Sequence, residues 1–268
     1  MKGHGTENDF VVLPPGAGPA ELGAGLVRAL CDRRRGIGAD GVLRVVPVDA
    51  HGGGDPDVRW LMDYRNADGG IAEMCGNGIR VFARFLVTEG LEQPGRLRIA
   101  TRDGVKTVDV PVVGDVTVDM GVATPLPDAK VQLATGRYDG IGWSMGNPHL
   151  VVLDVADVAA IDLTSAPTPD PVEAFPDGVN VEFVQRLDDR RVRMRVHERG
   201  VGETRSCGTG ACAAAVAAMA QRAERTSYDV EVPGGTLQVE WKSDGAVLLT
   251  GPAVLVAEGE VDERLARS

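Results

Sequence analysis

The sequence is poor in the features that mark nucleic-acid and membrane-surface proteins. Only 4% of the residues are aromatic, which disfavours a surface on which bases could stack. The 39 acidic residues outnumber the 28 basic ones, and a formal charge of −11 repels the phosphates of nucleic acids and anionic lipids. We therefore expect no nucleic acid and no membrane as partners.

Long apolar runs and cysteines are equally scarce. The longest apolar run, residues 211–220, is too short to cross a bilayer, and the N-terminus lacks the apolar stretch of a signal peptide. Four cysteines in 268 residues are too few for a disulfide scaffold. These absences predict a cytoplasmic protein.

Short β-branched runs, separated by turn residues, recur along the whole chain. Several alternate apolar and polar residues, which is the period of a half-buried strand. The pattern predicts a mostly antiparallel sheet rather than a regular βαβ series. The predicted strands are 10–13, 42–48, 96–101, 105–110, 116–120, 150–154, 180–184, 192–197, 228–232, 236–241, 246–250 and 253–258.

Three segments have a helical pattern, namely 19–33, 77–90 and 209–224. The third is apolar on all sides for most of its length, so we expect it to be buried all round. Residues 154–178 are rich in Asp, Ala and Pro and are predicted to be a surface connection that contributes to the moving rim of a cleft. Residues 52–55, GGGD, are predicted to form a turn, because no helical pattern follows them.

The two halves of the sequence look like copies of each other. Asn8 and Asn147, 139 residues apart, each lead into a strand-like run. A Cys-Gly-polar-Gly segment occurs at Cys75 and again, 132 residues later, at Cys207. A polar residue stands nine positions before each cysteine. These matches, in the same order, predict an internal duplication.

Each of the two cysteines precedes a predicted helix, where unpaired backbone N–H groups and the helix dipole attract anions. Gly76 and Gly208 let the backbone approach a ligand closely, and Asn77 and Thr209 can donate to it. The same field is expected to lower the pKa of a thiol towards neutrality. One thiolate and one thiol on opposite faces of a carbon, with N–H groups for its carboxylate, suffice to invert a stereocentre without a cofactor.

The segments HGTENDF, GIGADG, NADGGIAEMCGNGIRVFARF, MGNPH, VNVEF and HERGVGETRSCGTGACAAA resemble, in this order, the motif series of diaminopimelate epimerases. The resemblance implies an α+β fold of two pseudo-symmetric domains, each a mostly antiparallel, barrel-like sheet around a central helix. One half would be 1–118, completed by 252–268, and the other 119–251. It further implies a homodimer that epimerises LL-diaminopimelate to meso-diaminopimelate, for lysine and peptidoglycan synthesis, with no cofactor and no metal.

The resemblance also implies a role for each matching residue. Cys75 and Cys207 would be the acid and base, and His149 a polar supporter of the site. The substrate-binding residues would be Asn8, Asn66, Gly76, Asn77, Asn147, Asn180, Glu198, Arg199, Gly208 and Thr209. The chain departs from the family at Thr6-Glu7, where Leu-Gly is frequent, and at Gly41, where a substrate-lining Gln is frequent.

Other interpretations remain open at this point. Paired cysteines also fit a racemase for proline, histidine or another amino acid, and the same helix N-termini could serve a binding or thiol-redox protein. Zinc is disfavoured because the spacing of cysteines and histidines is not that of a zinc site. Cys31 and Cys212 are expected to be small buried hydrophobes. A disulfide between Cys75 and Cys207 is expected to inactivate the protein rather than to be its function.

Overall fold

The computed structural model describes residues 1–17, 21–48, 55–262 and 265. The chain divides into two compact units, Met1–Val118 with Gly251–Ser268, and Asp119–Thr250. Gly251 thus belongs to the first unit, one residue earlier than the division expected from the sequence. The turn expected at 52–55 lies, except for Asp55, outside the described residues.

Strands are the most frequent regular elements of the described chain, and three α-helices are found among the described residues. The fold is therefore the expected sheet-dominated α+β type. The helices are α1 (Ala24–Cys31), α2 (Gly76–Thr88) and α3 (Gly208–Gln221). The strands are β1 (Lys2–Gly5), β2 (Asn8–Leu13), β3 (Gly41–Pro47), β4 (Val58–Asn66), β5 (Gly95–Thr101), β6 (Gly104–Val110), β7 (Val116–Val122), β8 (Thr124–Pro125), β9 (Ala129–Leu133), β10 (Gly136–Ser144), β11 (Pro148–Val152), β12 (Thr168–Asp170), β13 (Asn180–Arg186), β14 (Arg191–Glu198), β15 (Gly202–Thr204), β16 (Ser227–Val232), β17 (Gly235–Trp241), β18 (Ala246–Gly251) and β19 (Val254–Ala257).

The first unit is built from hairpins and two long crossovers. β1 is antiparallel to β2 and to β19, β3 to β4, and β5 to β6. β2 is parallel to β3, and β4 to β5, with α1 and α2 respectively in the connections. A parallel pair needs such a crossover because the chain must return to the end of the sheet where it began.

The second unit repeats this order of pairings. β10 is antiparallel to β11, β13 to β14, and β16 to β17. β11 is parallel to β13, and β14 to β16, with α3 in the second of these connections. The recurrence of the same succession supports the duplication that the sequence predicts.

The connection between β11 and β13 is more than a surface segment. It contains β12 and two 3₁₀ turns, and it contributes buried side chains to a core cluster of the second unit. The expectation of a surface connection at 154–178 is therefore wrong in part, because the Asp- and Pro-rich composition hides isolated apolar residues that pack inward. They are Val158, Ile161, Leu163 and Phe175.

Strands of the same unit surround α2 and α3. α2 packs on β1, β2 and β6, and α3 packs on β11, β13, β16 and β17. Every residue of α3 from Gly210 to Met219 is buried, which confirms the prediction from its apolar sequence. α1 begins at Ala24, later than predicted, because the preceding Gly23 is extended and forms the N-cap. Among the described helices, none has the length and apolar character to cross a bilayer.

Candidate active site

Cys75 is the N-cap residue of α2 in the first unit. Its backbone is extended, and its Sγ accepts a hydrogen bond from the Gly78 N–H at 3.3 Å. The same Sγ lies 3.7 Å from Asn8 Oδ1, which also accepts from Asn77 Nδ2 at 3.2 Å. The first unit therefore brings together three of the predicted site residues, Cys75, Asn77 and Asn8.

A charged cluster sets the direction of the Asn8 amide. Asn8 Nδ2 donates to Asp40 Oδ2 at 2.8 Å, and Arg33 bridges Asp40 and Asp9, also at 2.8 Å. Burial raises the pKa of Asp9, but hydrogen bonds from basic side chains, Arg33 first, outweigh burial and hold that pKa well below its usual range. A carboxylate only accepts hydrogen bonds, so the amide presents its oxygen to Cys75.

Asn66 and Gly41 face each other at the paired ends of β4 and β3. Asn66 is half-buried, and its carbonyl accepts from the Gly69 N–H at 2.8 Å as the chain turns towards α2. A Cβ atom at Gly41 would lie 2.6 Å from the carbonyl oxygen of Arg65. The departure at Gly41 is therefore a packing requirement in this chain, because no side chain fits there without a backbone shift.

Cys207 occupies the corresponding position in the second unit. It is the extended N-cap residue of α3, and its Sγ accepts from the Gly210 N–H at 3.4 Å. Thr209 Oγ1 lies 3.5 Å from this Sγ, and Asn147 Nδ2 donates to Thr209 Oγ1 at 3.4 Å. The second unit thus repeats the grouping of a cysteine, a polar second residue of the helix and an asparagine.

His149 lies next to this group and has a partner that the sequence-based prediction did not include. Its Nε2 is 3.0 Å from Asn147 Oδ1, and its Nδ1 is 2.7 Å from Glu182 Oε1. The side chains of His149 and Glu182 are both 0% exposed. The available signal was an acidic residue inside the apolar run NVEFV, which becomes informative once the strand is known to be buried on both faces.

Glu198, Arg199 and Asn180 lie together at the adjoining ends of β13 and β14. Asn180 is buried, and its Oδ1 accepts from the backbone N–H of Arg199 at 2.9 Å. Arg199 is exposed, and its Nη1 donates to the carbonyl of Asp177 at 3.2 Å. The Glu198 carboxylate accepts from the Thr204 hydroxyl, and burial raises the pKa of Glu198 above its ordinary value.

The environment of Cys207 differs from the one expected. Burial raises the pKa of its thiol well above the ordinary value, and the carboxylates of Glu198 and Glu182 raise it further. Hydrogen bonds from Thr209 and Gly210 act in the opposite direction without offsetting these effects. The expectation of a lowered thiol pKa is therefore wrong for Cys207, because the loss of solvation outweighs the partial charge of the helix N-terminus.

Neither a disulfide nor a group of metal ligands is found among the described residues. All four cysteines are reduced, and Cys31 and Cys212 are buried, as predicted. Burial raises the pKa of Cys31 to about 11. Within the described ranges, no three His, Cys, Asp or Glu side chains are grouped so that they could hold a metal ion.

Comparison with known proteins identifies the family. The sequence matches the family model for diaminopimelate epimerase over residues 1–126 and 143–256. It is 52% identical to a diaminopimelate epimerase of Streptomyces coelicolor over 98% of this chain and 94% of that protein, and 50% identical to one of Rhodococcus jostii over 98% and 96%. The fold resembles that of a probable proline racemase from Agrobacterium radiobacter K84, with a TM-score of 0.71 at 16% identity, covering 98% of this chain and 92% of that one. The chain therefore belongs to the diaminopimelate epimerase family of isomerases.

Proposed function

We propose that the protein interconverts LL-2,6-diaminopimelate and meso-diaminopimelate by acid–base chemistry at two cysteines, without a cofactor. The observation that carries the proposal is the repeated N-cap position of Cys75 and Cys207, each beside a buried helix N-terminus. The substrate comes from the names of relatives about 50% identical to this chain. In this role the protein acts in lysine and peptidoglycan synthesis, as a cytoplasmic homodimer.

The proposed reaction moves two protons. One cysteine, as thiolate, takes the α-proton from one face of the carbon, and the other, as thiol, gives its proton to the opposite face. The two cysteines have then exchanged protonation states, and the reverse reaction runs by the same steps. Positioned proton transfer of this kind contributes roughly 10²–10⁴ in rate. The raised pKa of Cys207 favours its thiol form. We therefore assign Cys207 as the proton donor in the direction of the reaction that starts from this form.

The first residues of the two helices are proposed to bind the carboxylate next to the reacting carbon. Gly76 and Asn77 begin α2, and Gly208 and Thr209 begin α3, so their backbone N–H groups lie at the positive ends of the two helix dipoles. Negative charge builds up on this carboxylate as the α-proton leaves. Preorganised donors at such a position are worth about 3–4 kcal/mol each.

The distal amino-acid end is proposed to be bound by Arg199, Asn66 and Asn180, with Glu198 next to an ammonium group. Arg199 suits a carboxylate because its guanidinium is exposed and binds carboxylates in a bidentate manner. Glu198 is mostly removed from water, so its carboxylate gains from a cationic partner. Asn8 and Asn147 would line the reacting end.

Incubation of the reduced protein with LL-diaminopimelate in D₂O tests the proposal. The expected product is meso-diaminopimelate that carries solvent deuterium at the inverted α-carbon. Exchange with proline or histidine, but not with diaminopimelate, would instead identify another racemase on the same scaffold. Binding of diaminopimelate without any exchange would indicate a binding or thiol-redox protein.

A further inference from the structure

The second unit contains a buried pair of ionisable groups that the proposed proton transfer does not use. His149 and Glu182 lie 2.7 Å apart, Nδ1 to Oε1, and neither side chain is exposed. The other carboxylate oxygen, Oε2, has no hydrogen-bond partner within the described part of the chain. A buried carboxylate with a single partner is costly unless that partner carries the opposite charge.

The other ring nitrogen of His149 leads along a chain of polar atoms to Cys207. Nε2 is 3.0 Å from Asn147 Oδ1, and Asn147 Nδ2 is 3.4 Å from Thr209 Oγ1. Thr209 Oγ1 in turn is 3.5 Å from Cys207 Sγ. A ring nitrogen that faces an amide oxygen must carry a proton. If Glu182 is ionised, Nδ1 donates to its carboxylate and Nε2 donates to this oxygen, so that the ring carries both protons as an imidazolium.

With Glu182 ionised and Nδ1 donating to it, the protonation of Nε2 and the direction of the Asn147 amide depend on each other. An imidazolium donates to Oδ1 and leaves Nδ2 to donate towards Thr209. A neutral ring with a bare Nε2 would instead accept from Nδ2 and turn Oδ1 towards Thr209.

The internal repeat shows what the fold places at the same positions in the first unit. Phe10 in β2 pairs with the first residue of β3, and His149 in β11 pairs with the first residue of β13. Two residues further along these partner strands stand Leu43 and Glu182. Phe10 and Leu43 are both fully buried. The ionisable pair of the second unit thus corresponds to an apolar pair in the first.

Each pair contributes at least one residue that lies against the third residue of a cysteine-capped helix. A Cβ atom at Gly78 would lie 3.2 Å from a methyl group of Leu43 and 3.4 Å from the ring of Phe10. A Cβ atom at Gly210 would lie 2.7 Å from Glu182 Oε1. Because the apolar pair can pack against the helix in one unit, packing alone does not require a His–Glu pair in the other.

The two asparagines are accordingly held in different ways. Asp40 accepts from Nδ2 of Asn8, which leaves Oδ1 towards Cys75. Asn147 is held through its oxygen by His149, which leaves Nδ2 towards Thr209. Asn8 thus presents an acceptor in the first unit, and Asn147 presents a donor in the second.

We propose that Glu182 is a positioning residue, which holds His149 as an imidazolium and thereby fixes the Asn147 amide with its nitrogen towards the N-terminus of α3. Among the described residues, the titratable groups that interact with His149 include Glu182 from β13 and Glu198 from β14. The consequence for catalysis rests on the proposed function, whereas the protonation of His149 does not.

NMR of protein labelled with ¹⁵N in its histidines tests the protonation and needs no substrate. The chain has four histidines, and His149→Phe identifies the signal of His149. We expect both ring nitrogens to be protonated at about pH 7–8 and the imidazolium signature to be lost in Glu182→Leu. A bare ring nitrogen in the unaltered protein would overturn the proposal, and so would an imidazolium that persists in Glu182→Leu.

Kinetics test the consequence with a variant that the chain itself suggests. The double substitution His149→Phe and Glu182→Leu copies the apolar pair of the first unit into the second, so it should fold. We expect kcat/KM to fall on the order of 10–100-fold, because Asn147 loses its fixed direction. Glu182→Gln, which keeps the shape and loses the charge, should show the same direction of change, and Glu182→Asp should recover part of the activity.

Two outcomes separate this inference from the proposed function. Unchanged kcat and KM in Glu182→Gln would overturn the positioning role, provided that the unaltered protein epimerises diaminopimelate. Failure of the unaltered protein to epimerise would overturn the proposed function, and the NMR result would then decide the inference alone. His197→Phe, which removes a histidine outside this chain of contacts, is the control and should retain full activity.

Discussion

Cys75 and Cys207 make the same backbone contact in their respective units. Each Sγ accepts a hydrogen bond from the N–H group three residues further on, that of Gly78 at 3.3 Å and that of Gly210 at 3.4 Å. The contact caps the helix, and it strengthens when the sulfur becomes a thiolate, because an ionised acceptor makes the stronger hydrogen bond. Each cysteine thus combines a structural role with the proposed chemical one, and variants must separate the two.

Cys75→Ala and Cys207→Ala are each expected to abolish epimerisation, because inversion needs a base on one face of the carbon and an acid on the other. Cys→Ser at the same positions keeps a good N-cap and is the matched control for folding. We expect the alanine variants to lose about 1 kcal/mol of unfolding free energy relative to serine. The serine variants should lose on the order of 10²-fold or more in kcat. Urea denaturation measures the free energy of unfolding, and a rate assay measures kcat. Full turnover in either alanine variant would contradict the two-base mechanism.

The pH dependence of stability is expected to report the burial of Cys207. Its pKa is raised in the folded protein, whereas an unfolded thiol titrates near about 8.5. The resulting stabilisation is therefore complete below about pH 8.5 and is lost as the pH rises through the folded pKa. Cys207→Ser should show a shallower decline in the free energy of unfolding above this pH, measured by urea denaturation. Cys31, with a pKa of about 11, accounts for a remaining slope, and a slope unchanged by Cys207→Ser would contradict the assignment.

β4 shows why part of the fold could not be predicted from the sequence. It pairs with both β3 and β5, yet it was not among the predicted strands. Its buried residue Asp63 forms ion pairs with Arg44, Arg65 and Arg102. A buried charge interrupts the apolar alternation on which strand prediction depends. Two of the arginines that compensate it, Arg44 and Arg102, are distant in the sequence. β16, whose alternation follows its burial, was predicted correctly.

The residues of the site also differ in whether the sequence alone could identify them. Cys75 and Cys207 could be proposed from the sequence because a distinctive segment recurs before a helical pattern in both halves. Glu182 could not, because its contact with His149 depends on the parallel pairing of β11 with β13, which brings together residues 33 positions apart. The acidic residue inside the apolar run NVEFV is a local signal for Glu182, but the sequence pattern does not identify His149 as its partner.

Arg199→Met is expected to raise KM for diaminopimelate while the cysteines stay reactive. A charge-assisted hydrogen bond is worth about 1.5–3 kcal/mol, so the loss of a bidentate contact should raise KM on the order of 100-fold. Arg199→Lys keeps the charge without the fork and should lie between the two. Arg190→Met, at an exposed turn, is the control. An unchanged KM in Arg199→Met would favour a substrate without a second carboxylate.

Alanine at the third residue of each cysteine-capped helix should affect the two units unequally. Helix propensity favours alanine over glycine by about 1 kcal/mol at both positions. At Gly78 the new Cβ would lie 3.2 Å from a Leu43 methyl group, which can yield slightly. At Gly210 it would lie 2.7 Å from Glu182 Oε1, which is buried and bound to His149. We therefore expect Gly210→Ala to lower the free energy of unfolding by about 1–3 kcal/mol, as overpacking does, and to lower kcat/KM on the order of 10-fold. Gly78→Ala should remain close to the unaltered protein in stability. Urea denaturation and steady-state kinetics measure the difference, and equal losses in the two variants would show that Glu182 is free to move away.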